Sequence, residues 1–211
     1  VVTVDDRADQ YGYVLLSPNG WTRNPQWGRG PAEVMAEASL ADVRRRLAVN
    51  PQRMFLTRNS AGGSGAMSCA ARHPRLFRAM VSTAPAPNRP AGDALRGPML
   101  DVPTLMACFS ADVTNYYVGE RNFACQPWDE ADVKPRMRYL TFVTVENGHH
   151  SHGPASLLQM TFDFFKDVLA GRSERPTGTV ALAAGRATLS HRARGASARQ
   201  HPGSCRSRGL L

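Results

Sequence analysis

A serine, an aspartate and a cluster of histidines supply the side-chain types that acyl-transfer chemistry needs. Ser60 lies in the stretch Thr57-Arg58-Asn59-Ser60-Ala61-Gly62-Gly63. A serine hydroxyl is a weak nucleophile at its own pKa, so it needs a neighbouring base and donors for the oxyanion that forms as it attacks. A sharp strand-to-helix turn meets both needs. It exposes the serine at its tip and aims the N–H of the next residue, here Ala61, at the developing charge. Ala61, Gly62 and Gly63 are small enough for strand and helix to approach closely. Ser64, in Gly63-Ser64-Gly65, is a second serine of the same stretch and lies past the expected tip. Asp112 is the acid that follows an apolar run, whereas Asp129, Glu130 and Asp132 follow none. The bases on offer are His149, His150 and His152 in Glu146-Asn147-Gly148-His149-His150-Ser151-His152. Clustered histidines also raise the question of a metal. No carboxylates or cysteines at ligand spacing accompany them, so no metal site is expected.

The elements that must position these residues follow from apolar patterning. Tyr13-Val14-Leu15-Leu16 is an apolar run stopped by Ser17-Pro18-Asn19-Gly20 and predicts a buried strand entering a loop. Pro31 suits the first turn of a helix, in which Val34, Leu40, Val43 and Leu47 recur at roughly helical spacing until Asn50-Pro51. Residues 54–57 predict the strand that enters the Ser60 turn, and a small-residue helix follows over about 63–72. Residues 79–82, 103–108 and 139–145 predict further strands. The last helix spans about 154–170, with two adjoining apolar stripes that require burial on a broad face. Strands alternate with helices and are continuous apolar runs. That pattern predicts an α/β fold with a mostly parallel sheet flanked by helices on both faces.

Composition narrows the function classes. Lys and Arg number 26 against 17 Asp and Glu, a net charge of +9. Residues 172–211 carry eight Arg and one Glu, which is +7, leaving +2 for residues 1–171. The basic character therefore belongs to a low-complexity tail, expected to be disordered. The tail lacks aromatic residues for base stacking, so no nucleic-acid partner is expected. No run of 18 apolar residues occurs, so no membrane span is expected. The chain opens on Val with no basic-then-apolar leader. Cys69, Cys108, Cys125 and Cys205 form no C-x-x-C pair, and a Cys108 to Cys125 disulfide stays open.

The stretch Asn50-Pro51-Gln52-Arg53-Met54-Phe55-Leu56-Thr57, the Ser60-Ala61-Gly62-Gly63 turn, and Ala71-Arg72-His73-Pro74-Arg75-Leu76-Phe77 together resemble a known family. It is the polyhydroxybutyrate depolymerase and feruloyl esterase-like branch of the α/β-hydrolases. The resemblance covers about residues 8–171 and is strongest over 50–84. It implies an α/β-hydrolase domain over 1–171, with 172–211 as the tail. It implies that Ser60 is the nucleophile and Ala61 an oxyanion donor. It implies that Asp112 is the acid, in Phe109-Ser110-Ala111-Asp112 where the family has Gly-x-x-Asp. The family's Glu-Gly-Gly-Gly-His-Ser/Thr-Trp, laid over Val145-Glu146, implies His150 as base, with His149 the alternative. A small-molecule or polymeric ester would be the substrate, Trp21, Trp27 or Tyr116 would line its pocket, and no cofactor is called for. Secreted or cell-envelope location is implied by the resemblance alone, and oligomeric state stays open.

Three departures bear on activity. Arg58 stands where the family has Gly two residues before the serine, and Phe109 and His152 replace a Gly and a Trp. The second oxyanion donor normally comes from a glycine-rich loop after an earlier strand. The residues before Tyr13 hold no glycine pair, although Val1 to Val4 have the character of a remnant strand. The domain is therefore expected to be N-terminally shortened or atypical. The expected function is carboxylic ester hydrolysis through a serine acyl-enzyme. The alternatives are a catalytically impaired hydrolase-like protein and a serine peptidase of the prolyl-oligopeptidase-like type.

Overall fold

The computed structural model describes residues 4–18, 30–85, 101–112, 139–150, 153, 155–172, 178–181 and 188–190. In chain order the helices are α1 (Val4–Tyr11), α2 (Pro31–Arg46), α3 (Ser60–Arg72) and α4 (Ala155–Leu169), with a 3-10 turn at Pro51–Arg53. The strands are β1 (Phe55–Asn59), β2 (Ala79–Thr83), β3 (Thr104–Phe109), β4 (Leu140–Glu146), β5 (Gly178–Ala181) and β6 (Thr188–Ser190). They form one sheet in the order β1-β2-β3-β4-β5-β6. All pairs from β1 to β5 are parallel and the β5–β6 pair is antiparallel. This is the α/β architecture, a mostly parallel sheet flanked by helices, that the apolar runs predict.

The runs are continuous because both faces of the sheet are covered. Met80, Met106, Cys108, Leu140 and Phe142 point to one face and pack with Met67 and Ala70 of α3. Their neighbours Ala79, Val81, Leu105, Ala107, Phe109, Val143 and Val145 point to the other. There they meet Leu157, Phe162, Phe164, Phe165 and Val168 of α4 and Ala8 of α1. Each fully buried Leu or Phe contributes about 1.5–3 kcal/mol, so α4 is held chiefly by its apolar stripes. α1 is added by Tyr11, which stacks on Phe162 at 5.2 Å and donates its hydroxyl to Asp163 Oδ1 at 2.8 Å.

Several features differ from the sequence reading or add to it. Residues 13–16 are not a buried strand: they form no ladder, and Val14 and Leu15 are 63% and 41% exposed. Tyr13 N–H bonds back to Ala8 C=O and its ring packs edge-on against Phe55 at 5.5 Å. The segment thus tethers α1 beside β1, which is the terminal strand of the sheet among the described residues. Helix α2 exists as predicted, but its apolar stripe is not buried, with Val34 64% and Leu47 46% exposed. It is joined to the end of α3 by an ion pair, Glu33 to Arg72, and by a hydrogen bond between Glu37 and His73. Val4 begins a helix rather than ending a strand remnant. Finally, two segments of the basic tail, Gly178–Ala181 and Thr188–Ser190, extend the sheet beyond β4. Trp21, Trp27, Tyr116, Cys125, Asp129, Glu130, Asp132, His152 and Cys205 lie outside the described residues.

Among the described residues no helix is long and apolar enough to cross a membrane.

Candidate active site

The site gathers at the C-terminal ends of β1, β3 and β4, where a parallel sheet leaves its loops free to converge. β1 ends at Asn59 and α3 begins at Ser60, with no residue between them. The turn is so tight that Ser60 takes φ 56°, left-handed backbone that costs a non-glycine residue about 1–3 kcal/mol. Its surroundings hold it there. Thr83 Oγ1 donates to Arg58 C=O at 3.1 Å, fixing the end of β1 to β2. Gly63 brings α3 against β2, so close that a side-chain carbon there would collide with Ser82 Oγ. Asn59 makes no side-chain cap to α3, so its side chain takes none of the first-turn N–H groups, Ala61 included.

Arg58 is accommodated by this turn rather than expelled from it. Its stem lies across Gly62, where an added side-chain carbon would sit 3.3 Å from Arg58 Cβ. Its head reaches sideways, and Nη1 donates to Ser17 Oγ at 3.3 Å. Burial pulls the guanidinium below its ordinary pKa. The glycine missing at position 58 is thus compensated by the one at position 62.

Asp112 follows β3 and is buried, with its backbone N–H bonded to Phe109 C=O at 3.2 Å. His150 follows β4 and is partly exposed. Its Nδ1 lies 2.7 Å from Asp112 Oδ2 and its Nε2 lies 2.9 Å from Ser60 Oγ. A buried carboxylate accepts the Nδ1–H, which leaves Nε2 free to accept the serine proton. The three side chains singled out in the sequence are therefore in hydrogen-bond contact in a line. Among the described residues no group of three or more His, Cys, Asp or Glu side chains is placed to hold a metal ion.

The other candidates fall elsewhere. Ser64 is fully buried within α3. His149 Nδ1 lies 3.1 Å from the carbonyl of Ala111 and is engaged with the backbone instead of with Ser60. Burial, with the charge of Glu37, pushes the Cys69 thiol up to about 11.

Several residues that shape the site carry no motif. The loops after β3 and β4 are joined by Ser110 N–H to Val145 C=O at 3.1 Å and Ala111 N–H to Gly148 C=O at 2.9 Å. Asn147, itself at φ 55°, donates its N–H to Ser110 Oγ at 2.7 Å. Phe109, found where the resemblance calls for Gly, is buried, and its ring closes against Gly148 and Gly153. The sequence signals were a bulky residue at the end of β3 and glycines in the loop after β4.

No protein-family profile and no curated protein matches the sequence. Solved structures do resemble the fold. A predicted CIB-like hydrolase from Thermoplasma acidophilum is 17% identical over 70% of this chain and 68% of its own, with a TM-score of 0.48. Est1E from Butyrivibrio proteoclasticus is 14% identical over 67% of this chain and 69% of its own, with a TM-score of 0.45. An S-formylglutathione hydrolase from Agrobacterium tumefaciens is 19% identical over 71% of this chain and 61% of its own, with a TM-score of 0.41.

Proposed function

We propose that the protein is a carboxylic ester hydrolase of the α/β-hydrolase type, acting through a serine acyl-enzyme. The observation that supports this reading is the line Asp112–His150–Ser60, with contacts of 2.7 and 2.9 Å. Ser60 Oγ attacks the ester carbonyl as its proton passes to His150 Nε2. Ala61 N–H holds the oxyanion of the tetrahedral intermediate. The intermediate collapses, the acyl–oxygen bond breaks, and His150 returns the proton to the departing alcohol. His150 then takes a proton from water, the hydroxide attacks the acyl-enzyme, and Ser60 leaves with that proton as the acid is released. Asp112 orients the imidazole and stabilises its charged form throughout.

Hydrolysis of short-chain p-nitrophenyl esters tests the reading, with Ser60→Ala as control. Ser60-dependent turnover supports it, and equal rates in both proteins overturn it. The alternative of a catalytically impaired protein rests on the sequence expectation of an oxyanion hole short of its second donor, where removing one donor costs about 10² to 10³ in rate. Labelling of Ser60 by a fluorophosphonate without ester turnover would favour that alternative.

A further inference from the structure

We propose that His149 is a positioning residue, whose ring donates from Nδ1 to the Ala111 carbonyl and so holds Asp112 in register with His150. The inference rests on the reading of Asp112, His150 and Ser60 as a catalytic line. Ala111 immediately precedes Asp112 and His149 immediately precedes His150. The two loops are therefore bridged twice by adjacent residues. One bridge is the Asp112–His150 contact at 2.7 Å, and the other is His149 Nδ1 to Ala111 C=O at 3.1 Å. A carbonyl only accepts, so His149 carries its proton on Nδ1 in this contact. Both its neutral and its charged form supply that donor.

The bridge has work to do because neither loop is regular structure. β3 and β4 pair up to Phe109 and Val145. Beyond them the chain turns at Ser110–Ala111 and at Asn147, and the register is carried by single bonds. Ser110 Oγ and the Ala111 N–H tie the loops at Asn147 and Gly148. His149 adds the bond next to the reacting imidazole. Without it the Ala111 peptide plane is held only from its other side, by the Asp112 N–H bond to Phe109 C=O at 3.2 Å, and Asp112 Oδ2 is less firmly aligned with His150 Nδ1.

The test compares three proteins, the parent, His149→Phe and His149→Asn. Phenylalanine keeps a ring and removes the donor, while the Asn side-chain N–H stands close to where Nδ1 was. The first measurement is p-nitrophenyl ester kinetics. His149→Phe is expected to lower kcat about tenfold with KM little changed, as misplacement without loss of binding does, and His149→Asn to recover most of it. The second is the low-field NMR signal of the His150 Nδ1 proton bonded to Asp112. It should be lost or broadened in His149→Phe and kept in His149→Asn. An unchanged kcat and an unchanged signal in His149→Phe overturn the proposal, as does a loss that His149→Asn fails to repair. The signal separates the two levels of the argument. If no protein turns over ester yet the signal follows the donor, positioning stands and the esterase reading falls.

Discussion

A side-chain carbon added at Gly63 would lie 2.6 Å from Oγ of Ser82. That distance is below what real contacts allow, and Ser82 is fully buried on β2. Gly63→Ala should therefore destabilise the fold by about 1–3 kcal/mol through overpacking. Ser82 Oγ has no hydrogen-bond partner among the described residues. Ser82→Ala should then be neutral or slightly stabilising, because it removes an unsatisfied buried hydroxyl. The double variant should regain at least half of the loss. Urea unfolding of the four proteins checks this, and strict additivity would show that the contact is not what fixes the turn.

Gly148 has the same role on the opposite side of the site. An added carbon would stand 2.5 Å from Phe109 Cδ1 and 3.0 Å from Val145 Cγ1. Both neighbours are buried and cannot retreat. Gly148→Ala must then push the 147–150 loop away from the sheet, and His150 with it. A displacement near 1 Å costs about 10² in rate, so kcat should fall about a hundredfold alongside a lower melting temperature. A lower melting temperature with unchanged kcat would mean that the shift is absorbed before His150.

The parts of the molecule legible in the sequence share a cause. Residues 79–82, 103–108 and 139–145 read as strands because helices cover both sheet faces, so both sets of alternating positions are apolar. Ser60 and Asp112 follow strand ends in sequence, whereas His150 was preferred to His149 only through the family resemblance; the structure brings the three side chains into contact. What was not legible depends on tertiary partners. α1 is polar in sequence and is held by Ala8 and Tyr11 packing on α4. Residues 13–16 carry the pattern of a strand but have no strand to pair with among the described residues. The bonds of Ser110, Asn147 and His149 are loop geometry, for which residue identity gives no period.

Arg58 stands where the resemblance calls for Gly, yet its stem fits over Gly62 and its head leads away to Ser17. Its described side-chain hydrogen bond goes to Ser17 and not to Ser60, Asp112 or His150. Arg58→Ala should keep kcat within about threefold, because a long, single bond to a serine contributes little. A rise of tenfold or more in ester turnover would instead identify Arg58 as the cause of impaired activity.

Asp112→Asn separates orientation from packing. The carboxylate is buried beside His150 Nδ1 and must accept its proton. An amide of the same shape can turn its NH₂ toward Nδ1, which then has to act as the acceptor. The imidazole proton moves to Nε2, where it faces Ser60 Oγ and blocks removal of the hydroxyl proton. The expected result is a loss of up to about 10⁴ in kcat, the size seen when the tautomer is wrong and the geometry is kept. Stability should change far less than activity, since the amide fills the same space. Fluorophosphonate labelling of Ser60 should slow in parallel, because it needs the same proton transfer. If Asp112→Asn labels and turns over as the parent does, His150 takes its orientation from another group, and the bond at 2.7 Å is structural.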